Sequence, residues 1–277
     1  MRDRSHPNSQ VRVAYKNEEF LDSSEGRAIR ILSEYLEPLE HFRREHIRDT
    51  VVFFGSARIH PPESPIAHYY DEARALAKML TEWGEEIKHT SRRFVVCSGG
   101  GPGIMEAANR GAAEAGGKTI GLNIGLPFEQ FPNPYISKEL CFEFHYFFMR
   151  KFWFAYLAKA LVVFPGGFGT LDEMTEILTL CQTGKLAKKM VILLYGSEYW
   201  KEVINFDALV KYGTIAKEDL DLFQYADNPE SAMEILKEGL TKLYLQPEAA
   251  LPESEAHTPA IAKSVVRVAE HEPQPGG

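Results

Sequence analysis

Apolar residues recur along this chain with two different periods. Ahead of residue 49, Ile29, Leu32, Leu36, Leu39 and Phe42 return every three or four positions, the spacing of one helix face. Pro38 falls inside that stretch and leaves two readings open, one amphipathic helix or a helix pair broken at the proline. From residue 51 the pattern changes, and short β-branched or aromatic runs alternate with longer helical stretches. Runs at 51–54, 94–97, 119–122, 140–146, 160–164 and 190–194 predict strands, with Phe223 at the core of a last short one. Stretches at 67–83, 104–115, from Phe147 onward and 229–243 predict helices. Strands that alternate with helices predict an α/β fold, a Rossmann-like, doubly wound and mostly parallel sheet with helices on both faces, plus an N-terminal helical extension. The expected boundaries are 1–48 for a polar arm and the helical extension, 49–245 for the nucleotide-binding domain, and 246–277 for a disordered tail. Prolines at 247, 252, 259, 273 and 275 mark that tail, and residues 1–25 carry no sustained period.

In a parallel sheet the C-terminal ends of the strands share one rim, where ligands meet helix N-termini. Two glycine-rich loops fall on that rim, SGGGPG at 98–103 and PGGFGT at 165–170. Glycines there let backbone amides approach an anion closely, although a tight strand-to-helix turn needs glycine as well. Neither loop has the G-x-G-x-x-G spacing, and Gly184-Lys185 lacks the rest of a P-loop. Thr170 and Glu173 have the spacing of a capping box, which requires no ligand. Arg150, in the first turn of the helix opening at Phe147, faces the second loop across the rim, either as a surface ion-pair residue or as a partner for Glu173. Ser56 and Arg58, in GSAR, lie on the same rim. His145 reads as a packed or rim residue, Lys151 and Lys159 as solvated helix residues, and the aromatic cluster around Trp153 as core or subunit interface.

Composition narrows the partners. A net charge of -8 without a basic cluster argues against nucleic acid, while leaving room for a small anion. Cys97, Cys141 and Cys181 are far apart and have no histidine companions, so neither a disulfide framework nor a metal site is expected. MRDRSHPNSQ has no apolar core, and no window approaches the ~20 apolar residues of a membrane span. The expectation is a cytoplasmic protein without a membrane partner.

PGGFGTLDE resembles the PGGxGTxxE signature of the Lonely Guy (LOG) family, with Met149-Arg150-Lys151 at the family's interval, 173 - 150 = 23 residues from arginine to glutamate. SGGGPGIMEAANRGA is similar to the family's first glycine loop and its helix, and the likeness spans 51–243. The helical preface and LPFEQFPNPY resemble the longer bacterial branch, whose members are often labelled lysine decarboxylases. The resemblance implies a hydrolase, a cytokinin riboside 5'-monophosphate phosphoribohydrolase or AMP nucleosidase. It would cleave the N-glycosidic bond of a nucleoside 5'-monophosphate, AMP or an N6-modified cytokinin-type nucleotide, to free base and ribose 5-phosphate. It implies Arg150 and Glu173 as the catalytic pair. Gly166, Gly167, Gly169 and Thr170 would bind the 5'-phosphate, with Gly100, Gly101, Gly103, Met149 and Lys151 also at the nucleotide and a looser carry-over to Ser56 and Arg58. It implies no cofactor, and a homodimer or higher homo-oligomer. RKFW departs from the RKxxM of compact members, which leaves the base pocket open. A pyridoxal phosphate decarboxylase would need a lysine for an imine, and neither glycine loop has one. A non-catalytic nucleotide or cofactor carrier of the same fold is the alternative.

Overall fold

A computed structural model of the chain describes residues 12–59, 64–125, 131–186 and 188–246. The expected tail from 247 onward, the first 11 residues of the arm and residues 126–130 of LPFEQFPNPY lie outside the described residues. In chain order the elements are α1 (Glu18–Asp22), α2 (Arg27–Arg44), β1 (Thr50–Phe54), α3 (His68–Glu86), β2 (Val95–Ser98), α4 (Ile104–Glu114), β3 (Thr119–Ile124), β4 (Cys141–Phe144), α5 (Phe147–Leu157), β5 (Ala158–Val163), α6 (Phe168–Gln182), β6 (Val191–Tyr195), α7 (Ser197–Val203), α8 (Phe206–Lys211), β7 (Gln224–Ala226) and α9 (Pro229–Tyr244).

The central strands are apolar on both faces because helices cover both. In β1, Val51 and Phe53 enter the core beneath α3, α4 and α9, while Val52 and Phe54 enter the one beneath α2, α5, α6 and α7. Val162 and Leu193 repeat the first orientation in β5 and β6, and Val163 and Leu194 the second. All seven strands pair in parallel in the order β4-β3-β2-β1-β5-β6-β7. The chain winds outward from β1 to β4, returns to place β5 against the other side of β1, and winds outward again. The order therefore reverses between β1 and β5, and at such a point the loops leaving the two strands diverge and open a crevice.

Four local expectations are decided or corrected. Pro38 lies inside one continuous helix, so the broken pair is not formed. Proline has no amide to offer the carbonyl four residues earlier, and here the Trp153 indole Nε1 donates to that Glu34 carbonyl at 2.9 Å. Within the arm, residues 14–16 form an exposed 3-10 turn and α1 a short helix with Phe20 and Leu21 half-buried, so this part of the arm has regular structure. Lys159 is in β5, not a helix; its ammonium lies 4.8 Å from the centre of the Tyr244 ring, and burial lowers its pKa. Phe223 immediately precedes β7 instead of lying within it. No helix of the described residues is long and apolar enough to cross a membrane, and among them no three His, Cys, Asp or Glu side chains cluster as metal ligands.

Candidate active site

The loops after β1, β2 and β5 are tied together at the crevice. Ser56 N donates to the Pro165 carbonyl at 3.0 Å, and Ile104 N, at the start of α4, donates to the Ser56 carbonyl at 3.2 Å. Gly103, at φ +68°, is required there, because a Cβ would collide with that same Ser56 carbonyl. The Trp200 indole Nε1 donates to the carbonyls of Val163 and Tyr195 at 3.2 and 3.0 Å, and the Tyr199 hydroxyl donates to the Gly166 carbonyl at 2.9 Å. The PGGFGT loop is thus held from beneath by α7. Ser56 Oγ accepts the Arg58 amide at 3.1 Å, and Arg58 itself is exposed at the edge.

α6 begins at Phe168, with Gly167 as its N-cap and no side chain capping it. This overturns the capping-box reading, since Thr170 is already the third helical residue and Glu173 the sixth. The three-residue turn of Pro165, Gly166 and Gly167 is short enough for the helix to start before the threonine. Leu171 N is the first amide bonded back, to the Gly167 carbonyl at 3.0 Å. The amides of Phe168, Gly169 and Thr170 have no acceptor among the described residues. A Cβ on Gly166 would strike the Thr170 side chain, so that glycine serves the turn, but a Cβ on Gly167 or Gly169 would meet nothing within 4 Å. Their own fold does not require those two glycines, and glycine in a helical turn costs about 1 kcal/mol relative to alanine. They keep open the space in front of a helix N-terminus whose amides and dipole favour an anion.

Arg150 and Glu173 flank this opening. Glu173 is only 6% exposed, and its side chain makes no hydrogen bond among the described residues. Burial pushes its pKa up to about 7, against the pull of Arg150 and Lys151 and with smaller contributions from Glu176 and Asp172. Arg150 does not pair with it directly, contrary to expectation. Its Nε donates to the Leu122 carbonyl at 2.8 Å, at the end of β3, and its guanidinium carbon lies 5.1 Å from the Phe154 ring centre and 5.8 Å from that of Phe147. Gly99 makes room for it, since a Cβ there would sit 2.5 Å from Arg150 Nη2. Burial lowers the arginine's pKa, and the charge of Glu173 opposes that shift. The two groups therefore feel each other's charge without forming an ion pair. Met149 is packed into the core. The Lys151 ammonium lies 2.8 Å from Asp172 and 2.9 Å from Glu176; burial works against its charge, but these carboxylates outweigh it and raise its pKa. It clamps α5 to α6 on either side of Glu173, and a lysine kept charged in this way is unsuited to imine formation.

The SGGGPG loop is fixed by residues the sequence did not single out. Asn133 donates through Nδ2 to the carbonyls of Gly100 and Gly101 at 3.1 and 3.2 Å and to Asn109 Oδ1 at 2.8 Å, while Asn133 N donates to the Gly100 carbonyl at 2.8 Å. Asn109 accepts the Ser98 hydroxyl at 2.7 Å and donates to Thr119 Oγ1 and the Ile120 carbonyl at 2.5 and 3.1 Å. Ser98 Oγ then accepts the Gly100 amide at 3.0 Å. Gly100, at φ +76°, is in the left-handed region, and a Cβ would run into Asn123. With the Gly100 carbonyl turned inward, the trans peptide turns the Gly101 amide the other way. The available signal was Asn109 itself, an amide on the apolar face of a helix where a polar side chain needs a buried partner. Asn109→Ala leaves Ser98, Thr119 and Asn133 short of partners and is expected to cost roughly 3 kcal/mol, checked by urea unfolding against the wild type.

A parallel sheet whose switch point presents uncapped amides, an arginine and a protonatable carboxylate defines a Rossmann-like protein, with these polar groups gathered where such a fold takes its ligands. Comparison with known proteins carries this further. A family model described as possible lysine decarboxylase matches residues 105–236. The cytokinin riboside 5'-monophosphate phosphoribohydrolase LOG of Oryza sativa subsp. japonica is 31% identical over 179 residues, covering 64% of this chain and 67% of that protein. The phosphoribohydrolase LOG5 of Arabidopsis thaliana is 28% identical over 177 residues, covering 61% and 70%. Among solved structures, the Moco carrier protein from Chlamydomonas reinhardtii is 20% identical with a TM-score of 0.47, covering 70% of this chain and 99% of that one. The chain belongs to the LOG family.

Proposed function

We propose that this protein hydrolyses the N-glycosidic bond of nucleoside 5'-monophosphates, with AMP or an N6-modified, cytokinin-type nucleotide as substrate. The observation that carries this reading is Glu173: a buried carboxylate without a hydrogen-bond partner among the described residues, poised near neutrality beside an open helix N-terminus. The 5'-phosphate would sit on the amides of Phe168, Gly169 and Thr170, with the Gly101 amide facing it from the other loop. That places the sugar over Glu173 and Arg150. As the bond from C1' to the base nitrogen breaks, its electron pair leaves with the base and positive charge grows on the ribose ring, where the Glu173 carboxylate stabilises it. A water attacks C1', Glu173 takes its proton and that proton passes on to the departing base nitrogen, so that the hydroxyl ends on C1' and the proton on the base, giving free base and ribose 5-phosphate with the carboxylate regenerated. Arg150 contacts the ribose or phosphate, and its charge favours the ionised form of Glu173 against the effect of burial.

The test is release of base and ribose 5-phosphate from a panel of nucleoside 5'-monophosphates, beside the matching nucleosides. Turnover of monophosphates with nucleosides inert supports the reading; no release from any monophosphate sinks it. Gly169→Ala separates the phosphate role from the fold. It adds a methyl to open space at the helix start, so thermal stability should hold or rise by about 0.5–1 kcal/mol. KM for the monophosphate should rise roughly tenfold, the ~1.4 kcal/mol of one weakened charge-assisted hydrogen bond. An unchanged KM would remove Gly169 from the site.

A further inference from the structure

The helical extension that precedes the sheet reaches the start of α5, the helix that carries Arg150. One Glu34 carboxylate oxygen accepts the His145 amide at 2.8 Å and the other accepts the Tyr146 amide at 3.2 Å. Tyr146 is the N-cap of α5, and its own side chain does not cap the helix. Its carbonyl in turn accepts the amides of Met149 and Arg150, at 3.1 and 3.2 Å. Two further contacts hold the same place: Arg30 Nε donates to the Tyr146 hydroxyl at 3.2 Å, and Trp153 Nε1 donates to the Glu34 carbonyl that Pro38 leaves free.

We propose that Glu34 is a positioning residue for Arg150, so that the N-terminal extension is part of the catalytic apparatus. The linkage runs through a single residue, Tyr146. By gripping two consecutive amides, the carboxylate fixes the two peptide planes that meet at His145 and so the entry of the chain into α5 at Tyr146, and the Tyr146 carbonyl, on the next peptide, accepts the amide of Arg150. From that backbone position the guanidinium reaches the Leu122 carbonyl across the Gly99 gap. A carboxylate suits the place twice, because it satisfies amides at the helix entrance and its charge complements the positive end of the helix. A shift of about 1 Å in a catalytic group suffices to cost on the order of 10²-fold in rate. This proposal rests on the reading of Arg150 as a group that touches the substrate, but the placement itself can be measured without turnover.

The experiment compares Glu34→Ala, Glu34→Gln and Glu37→Ala in the full chain. Glu37 is an exposed carboxylate on the same helix and serves as the control. Amide hydrogen exchange over residues 145–150 should accelerate in Glu34→Ala, less in Glu34→Gln, which keeps one acceptor oxygen, and not in Glu37→Ala. With a nucleoside monophosphate that the wild type hydrolyses, kcat should fall roughly 10- to 100-fold in Glu34→Ala with a smaller change in KM, and be partly restored in Glu34→Gln. In an Arg150→Ala background, removal of Glu34 should change the residual rate by less than about twofold, since a residue acting through another adds nothing once that other is gone. An equal fall in both backgrounds, or a kcat in Glu34→Ala within twofold of an active wild type, overturns the proposal. If the wild type turns over no monophosphate, the functional reading fails and the exchange data alone decide the placement; unaltered exchange at 145–150 then overturns it. Should Glu34→Ala not fold, Glu34→Gln takes its place, and unchanged exchange and kcat in that variant overturn the proposal in the same way.

Discussion

Glu173→Gln should lower the rate of base release by roughly 10²- to 10⁴-fold, the range of a lost general base, and should make the folded protein more stable above pH 7. The second half separates a catalytic carboxylate from a structural one. A capping glutamate replaced by glutamine loses stability at every pH at which it is ionised. Glu173 lies a full turn inside α6, and its pKa is pushed up to about 7 by burial. A carboxyl whose pKa is higher folded than unfolded prefers its protonated form in the fold. Its favourable contribution is complete below the ordinary carboxylate range, near 4.5, and is lost as pH rises through about 7. The neutral glutamine escapes that loss, so the two proteins should unfold alike in acid and diverge on the order of 3 kcal/mol by pH 8. In the wild type, kcat/KM should rise with pH through about 7 as the carboxylate ionises. Melting temperatures and rates across pH 4–8 decide the matter: a Glu173→Gln protein that is active, or that is destabilised at pH 8, would show that Glu173 has no such role.

The balance between sequence and structure at this site follows from what each interaction is made of. Strand positions such as Val51 to Phe54 are legible because burial on both faces leaves an uninterrupted apolar run. The glycine loops, Arg150 and Glu173 are legible because unusual residue types stand at fixed spacings. The start of α6 is not, since two adjacent glycines allow either a longer turn or an earlier helix and nothing local chooses. Arg150's direct partner is the Leu122 carbonyl, a backbone group that every residue type possesses. Asn133 reaches the SGGGPG loop from 33 positions away, and Glu34 reaches Tyr146 from 112 away. Such pairs exist only once the sheet has brought its strand ends together. Pro38 shows the converse, a local rule that is overridden because Trp153 supplies the missing donor from another helix.

Arg150→Lys keeps the charge, yet should lower kcat roughly 10²-fold, because the site uses the shape of the guanidinium. One edge of the group is committed to the Leu122 carbonyl, its central carbon lies over the Phe154 and Phe147 rings, and its Nη2 occupies the space beside Gly99. A lysine ammonium can bond the carbonyl or reach toward the ribose, but a single point cannot do both. Arg150→Met removes charge and shape together, and the pair of variants separates the two through Glu173. The arginine's charge holds the pKa of Glu173 down against burial. In Arg150→Met the pH at which kcat/KM rises should therefore move upward, well above 7, whereas in Arg150→Lys it should stay near the wild-type value while the plateau drops. Gly99→Ala tests the fit from the other side, since its added Cβ presses on Nη2 without altering any charge, and it should lower the plateau at an unshifted pH. A lysine variant with wild-type kcat would mean that Arg150 supplies a field and nothing more; a methionine variant with an unmoved profile would mean that its field does not reach Glu173.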